Sequence, residues 1–285
     1  MNTAASVLPT APSFDAILAP LAQGAEVQVP PTWGQGRATF GGLVAALLYR
    51  RAQAVLAAAG IDLEQKPPRS LTFSLVAPLA PGAARVEANI LRSGKSVTQL
   101  EARIVQDGEV AAMMLASFGT PRASEVLVAA APVPVYGAAE SWPALPYAAG
   151  LSPEFMQHFE FRWAVGRMPF SGTPATTGDM GGWVRFRAPT QGTDIAHLLG
   201  LVDAWPPAVL PMLSRPAPLS TLTWTIEFTP AAFDASLRVA SADTFFGYLA
   251  QTELSVDGYA HAASRFWRAD GTLLAIGRQT IAVFA

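Results

Sequence analysis

The chain of 285 residues contains no cysteine. That excludes disulfides, thiolate catalysis and zinc sites built on Cys. Histidine is nearly as scarce: His158, His197 and His261 lie too far apart for metal-ligand spacing, and none falls in the first half. Charged residues make up only 14% of the chain, with a formal net charge of −2. A nucleic-acid binder carries a basic excess, so that class is set aside. Met1 to Gly24 holds no basic residue and does not read as a secretory signal. The most apolar run, Val126 to Ala139, is too short to cross a bilayer and is broken by Pro132 and Pro134. Nucleotide and nucleophile motifs are missing too. Ser93-Gly94-Lys95-Ser96 resembles the tail of a phosphate loop, but the glycine required five residues earlier is Asn89. Gly34-Gln35-Gly36 lacks a third glycine at dinucleotide-loop spacing, and no Gly-x-Ser-x-Gly elbow occurs. The expectation is a soluble, cytoplasmic protein with no nucleic-acid or membrane partner and no metal.

What is plentiful is apolar surface, with 51% hydrophobic residues. This suffices for one large domain or two of about 140 residues. The stretch Thr193 to Pro207 predicts a short helix, capped by Thr193 or Asp194, closed by Pro206-Pro207 and apolar almost all round. One carboxylate, Asp203, sits near its end. Burial and the negative end of the helix both disfavour its ionised form. Taken alone, Asp203 reads as a helix-end carboxylate that reaches water. His197, six residues earlier, is nearly two turns away and reads as a helix-surface or interface residue.

A second apolar helix opens at Phe40-Gly41-Gly42 and runs to about Ala59, before Gly60. Only a helical turn at Phe14–Leu21 is expected before it. Alternating strands follow over Ser70–Val76, Ala84–Leu91, Ser96–Gln106 and, after the hairpin signal Asp107-Gly108, Glu109–Gly119. Arg122 to about Leu151 is rich in Ala and Pro and reads as a linker over the surface. Strands are then expected at Glu154–Val165, Gly182–Ala188, Thr221–Phe228 and Ser236–Ala240. A longer pair around Gly258 and Asp270-Gly271 ends in Thr272–Phe284.

The halves repeat. Ser70-Leu71-Thr72-Phe73-Ser74-Leu75 matches Thr221-Leu222-Thr223-Trp224-Thr225-Ile226 in class at each position, and Asp107-Gly108 matches Asp270-Gly271. An apolar helix precedes the meander in both, so one helix-and-antiparallel-sheet unit is duplicated. We divide the chain into 1–125, a linker 126–150, and 151–285. On the last strand Ala275, Gly277, Gln279, Ile281 and Val283 share a face, and a buried amide such as Gln279 needs partners. Counted from the hairpin, its first-half counterpart is Ala116, and the first-half helix has no carboxylate over Leu43 to Leu48. Polar groups on otherwise apolar positions thus occur in one half only.

Gly41-Gly42, Arg92-Ser93-Gly94-Lys95-Ser96, Gln106-Asp107-Gly108 and Ala116-Ser117-Phe118 resemble the type II acyl-CoA thioesterases, of double hot-dog fold. The likeness covers nearly the whole chain outside the N-terminal arm and linker. It implies an α+β tandem hot dog, hydrolysis of acyl-CoA thioesters in fatty-acid metabolism, no cofactor beyond the CoA of the substrate, and a homodimer as one form of assembly. It implies a catalytic set of Asp203, Thr221 and Gln279, with Ser220 the alternative hydroxyl if the register slips by one. The family often has Asp-His after the Thr, where this chain has Thr223-Trp224. Gly41 and Gly42 could offer backbone N–H groups to a thioester carbonyl, or simply allow close packing of helix on sheet. Arg50, Arg51, Lys66 and Arg69 could meet CoA phosphates or form a solvated patch. The rival reading is a non-catalytic acyl-CoA or lipid-binding protein of the same fold. A hot-dog dehydratase or hydratase is disfavoured by the missing first-half His.

Overall fold

The computed structural model describes residues 12–238 and 244–285. In chain order they form α1 (Phe14–Leu18), β1 (Glu26–Val29), the short pair β2 (Gly34–Gln35) and β3 (Ala38–Thr39), α2 (Gly41–Ala58), and β4 (Pro68–Leu75). Then come β5 (Gly82–Ser93), β6 (Val97–Gln106), β7 (Glu109–Gly119), β8 (Phe159–Val165), β9 (Asp179–Phe186) and α3 (Ile195–Asp203). β10 (Leu219–Phe228), α4 (Ala235–Arg238), β11 (Phe246–Val256), β12 (Tyr259–Arg268) and β13 (Leu273–Val283) complete the chain. Among the described residues no helix is long and apolar enough to cross a membrane.

The sheet has eleven strands in the order β1-β5-β6-β7-β4-β10-β13-β12-β11-β9-β8. Each half supplies a helix and the meander that follows it, and the two meet where β4 pairs antiparallel with β10. In that ladder Phe73 lies opposite Trp224, the residue that the internal repeat makes its counterpart, and their rings stack at 5.2 Å. A residue paired with its own counterpart marks a pseudo-two-fold axis. The duplication and the double hot-dog architecture are therefore the structure's own.

Helices α2 and α3 pack against each other on one face of the sheet. α2 follows from a run of Ala, Leu, Gln and Arg, all good helix formers, and Gly60 ends it at φ 72°. Its N-cap, Phe40, makes no side-chain cap bond. In α3, Asp194 and not Thr193 is the cap: its carboxylate accepts from the His197 backbone N–H. Asp107-Gly108 and Asp257-Gly258 both take positive φ, the type I′ requirement for tight hairpins.

Four expectations change. Residues 154–158 form a 3-10 turn after Pro153, so β8 starts at Phe159. The turn stacks Phe155 on Phe40 at 4.2 Å. β9 covers Asp179–Phe186 instead of 182–188, because Gly181 and Gly182 sit within the ladder. A Cβ on Gly182 would lie 2.0 Å from the Arg162 carbonyl oxygen. In place of a strand at 236–240, Ala235–Arg238 is a helical turn begun by Asp234, which accepts from the Ser236 N–H. Residues 239 and 240 lie outside the described residues. The N-terminal region also supplies a strand, β1, pairing with β5.

The linker is not merely draped over the surface. Val126, Leu127 and Val128 are exposed, but Tyr136 and Ala139 are buried in a second apolar cluster with Trp183, Phe245, Leu249 and Trp267. The Tyr136 hydroxyl donates to the Tyr248 carbonyl at 3.1 Å.

Residues 1–125 expressed alone would expose the β4 edge and the face of α2 that α3 covers. The expected product is aggregated or unfolded. A soluble monomer of this fragment, melting cooperatively by circular dichroism, would overturn that.

Candidate active site

Asp203 is the last residue of α3, set against the first turn of α2. Gln279, reaching in from β13, donates from Nε2 to Asp203 Oδ1 at 2.9 Å. Burial pushes the Asp203 carboxyl from its ordinary 3.8 up to about 7, against the opposing pull of the Gln279 bond and the Gly42 backbone N–H. α2 has no cap of its own, so Asp203 acts as a substitute acceptor for its free N–H groups. The positive end of α2 offsets the negative end of α3 at this carboxylate.

The two glycines explain how the helices come so close. A Cβ on Gly41 would lie 2.6 Å from Asp203 Oδ2. One on Gly42 would lie 3.1 Å from the Gly200 Cα and still closer to the Phe40 ring. At Gly42 the packing is helix on helix, while at Gly41 a Cβ would also lie 3.7 Å from Leu75 of β4. Gly41→Ala should displace the Asp203 carboxylate, since the new Cβ would lie 2.6 Å from Oδ2. A structure of the variant with the Gln279–Asp203 bond unchanged would overturn that.

Thr221 comes to the same face by an irregularity. In the β10–β13 ladder Thr221 lies opposite Ile281 and Trp224 opposite Gln279, with a bulge between Thr221 and Thr223. The extra residue puts Thr221 on the face of Trp224 and Gln279. Ser220 pairs with Ala282 on the other face and is exposed. Among the described residues no hydrogen bond joins Thr221 to Asp203 or Gln279, so the structure unites the carboxylate with the amide and leaves the hydroxyl nearby. The register also moves the first-half counterpart of Gln279 from Ala116 to Met114, the residue opposite Phe73. Met114 is buried and apolar, so the one-sidedness of the polar groups stands.

Three neighbours went unnoticed in the sequence. Tyr248 on β11 is buried beside Asp203, and burial, with that carboxylate's charge adding to it, raises its phenol; Ser264 hydrogen-bonds it. Trp205 stacks on Tyr248 at 5.4 Å and 9°. Trp205 follows Asp203 by two residues and offered a signal; Tyr248 and Ser264 reach the site only through sheet pairing.

His197 is a correction. It is not at a surface: it is 4% exposed, with Nδ1 2.8 Å from Asp194 and Nε2 2.9 Å from Asp15. Burial opposes its charge, but the two carboxylates prevail and raise it to about 9. Arg50 pairs with Asp194 at 2.8 Å. The other three basic candidates are half-buried. Lys66 bonds Gly94 and Thr98, Arg69 bonds the Gly119 carbonyl, and the Arg51 Nε is buried. Among the described residues no group of three or more His, Asp or Glu could hold a metal.

Two helix-wrapping half-sheets fused about a pseudo-two-fold, with a half-buried carboxylate–amide pair at the helix crossing, define a double hot-dog protein. Residues 133–283 match the acyl-CoA thioesterase C-terminal domain and residues 29–119 the N-terminal domain, and the chain belongs to that family. Family membership places its chemistry with thioester hydrolysis. A conserved protein of unknown function with hot-dog fold from Alicyclobacillus acidocaldarius is similar at 25% identity and TM-score 0.81, covering 97% of this chain and 99% of that one. Acyl-CoA thioesterase II TesB2 from Mycobacterium marinum shares the fold at 17% identity and TM-score 0.67, over 94% and 98% of the two chains. The tesB protein of Mycobacterium avium subsp. paratuberculosis does so at 15% and 0.72, over 96% and 100%. No curated protein is a significant match.

Proposed function

We propose that this chain hydrolyses acyl-CoA thioesters with Asp203 as general base. The observation that carries the reading is the 2.9 Å bond from Gln279 to a carboxylate raised to about 7, poised to exchange a proton near neutrality. Asp203 takes a proton from water, whose oxygen adds to the thioester carbonyl carbon. The tetrahedral intermediate collapses, the C–S bond breaks, and the proton passes to the leaving thiolate, giving free acid and CoA. Gln279 orients the carboxylate, and Thr221 holds the water. Gly41 and Gly42 remain candidates to receive the carbonyl oxygen, with the Gly42 N–H already engaged by Asp203. No cofactor is invoked, since CoA arrives with the substrate. A cytoplasmic place in fatty-acid metabolism belongs to the same proposal.

A base must be ionised to work, so kcat/KM should rise with pH and level off above about 7. A pH–rate profile on purified protein, with CoA release followed by a thiol reagent, checks this; a profile flat from pH 5 to 9 overturns it. Absence of turnover on thioesters of graded chain length, with binding retained, would favour the non-catalytic acyl-CoA or lipid-binding alternative.

A further inference from the structure

On the inner face of the sheet the second half departs from the first at a group of neighbouring positions. The ladders carry the correspondence outward from Phe73 and Trp224. Leu75 pairs with Ala112 as Ile226 does with Gly277, and Ala112 with Ile104 as Gly277 does with Ser264. Ile104 then pairs with Val86 as Ser264 does with Ala250. Two residues before Val86 and Ala250, on the same face, stand Ala84 and Tyr248. The first half thus has a row of Val, Ile and Ala with an alanine beside it, where the second has Ala, Ser and Gly with a tyrosine. Volume removed from the row is taken up by the phenol ring, as a close-packed core requires.

The exchange brings in two hydroxyls where the first half has only hydrocarbon. The Tyr248 phenol meets Ser264 in a hydrogen bond, and Gly277 makes room for it: a Cβ there would lie 2.5 Å from Ser264 Oγ. Buried hydroxyls are costly unless paired, and the first half packs the same row without any. Packing alone therefore gives no reason for them. Their place beside Asp203 does.

Tyr248 also holds Trp205 face to face, while Phe161 closes on Trp205 edge-on at 5.5 Å and Trp163 approaches it at 5.3 Å. α3 is otherwise weakly held at this end. It has no glycine cap, the Ala204 N–H reaches the Leu201 carbonyl at 3.4 Å, and Pro206 and Pro207 have no N–H to add. Trp205 lies two residues beyond Asp203, so its aromatic box fixes the end of the helix that carries the carboxylate.

We propose that Tyr248 is a positioning residue for the thioesterase reaction: seated on Ser264, its ring clamps Trp205 and so holds Asp203 in line with Gln279 and the attacking water. This rests on Asp203 as the base and deepens that reading. The test is steady-state hydrolysis of the acyl-CoA that the parent cleaves fastest, with thermal melting to show that each variant is folded. A misplacement of about 1 Å can cost about 10²-fold, so Tyr248→Leu should lower kcat about a hundredfold with KM little changed. Tyr248→Phe keeps the stack and should return kcat to within about fivefold of the parent, the size of one lost hydrogen bond. Ser264→Ala should match Tyr248→Phe, and it carries the test if Tyr248→Leu does not fold. Because Tyr248 acts through Asp203, adding Tyr248→Leu to Asp203→Asn should cost nothing further. Parental kcat in Tyr248→Leu or Ser264→Ala, equal losses in the Phe and Leu variants, a rise in KM in place of a fall in kcat, or a further loss in the double variant would each overturn the proposal. With the Asp203→Asn loss intact, those outcomes leave the base assignment standing. Parental turnover by Asp203→Asn, or no turnover by the parent, overturns both.

Discussion

Asp203→Asn should lower kcat by about 10²–10⁴-fold, the usual contribution of a general base, while leaving the fold intact and ligand binding largely retained. The amide is isosteric and its oxygen can still accept from Gln279, so no cavity opens and the helix crossing persists. Stability should hold or rise. Asp203 titrates at about 7 in the folded chain against an ordinary 3.8. A carboxyl raised on folding favours the folded state fully below the lower value and loses that contribution as pH climbs through the higher one. The melting temperature of the Asn variant should therefore exceed that of the parent by more at pH 8 than at pH 5. Gln279→Ala should cost less activity, because it orients the base without accepting the proton, and Thr221→Val should fall between or near it. Near-parental kcat in Asp203→Asn would remove Asp203 from the mechanism. An unfolded variant would make it a structural residue.

The largest effect on stability is expected at His197. Its ring joins α1, through Asp15, to the cap of α3, through Asp194, and packs against Phe14 and Phe186. Removing one partner from a buried ionic cluster typically costs about 3–5 kcal/mol. His197→Ala should fall at or above the lower end, because Arg50 still compensates Asp194, and Tm should drop by about 6–12 °C. His197→Gln can still donate a hydrogen bond and should lose less. His197 is raised on folding to about 9 from 6.5, so its contribution is complete below 6.5 and is lost as pH rises through 9. Asp15 and Asp194 are lowered despite burial, chiefly by the His197 hydrogen bond, so their contribution fades on the acid side. Thermal unfolding of the parent from pH 4 to 10 should show a decline between about 6.5 and 9 that His197→Gln lacks. An equal decline in both would dissociate the cluster from alkaline stability.

Local pattern carried much of the fold. The meander strands and both long hairpins were legible because one face of each strand is apolar and the turns carry Asp-Gly. Asp203 was legible as a lone carboxylate on an apolar helix, and Gln279 as an amide on an apolar face. What escaped depends on partners distant in sequence. Phe155 and Phe159 read equally well on a strand, and stacking of Phe155 on Phe40 helps settle the turn. His197 looked peripheral because Asp15, which fixes it, lies 182 residues away. The linker's burial needed Trp183 and Trp267, which reach it across the sheet. The bulge that turns Thr221 inward leaves no mark in composition at all.

The ladder in which Phe73 faces Trp224 bears on stoichiometry. In a true two-fold pair, every site would occur twice, and a change at one position would appear at both. Here the symmetry is carried within one covalent chain, so the mates are free to differ. The ninth residue of α3 is Asp203, whereas the ninth of α2 is Tyr49; opposite the axis pair stand Gln279 on one side and Met114 on the other. Titration of active centres should accordingly count one per 30.0 kDa polypeptide, half the number that its two repeats would suggest.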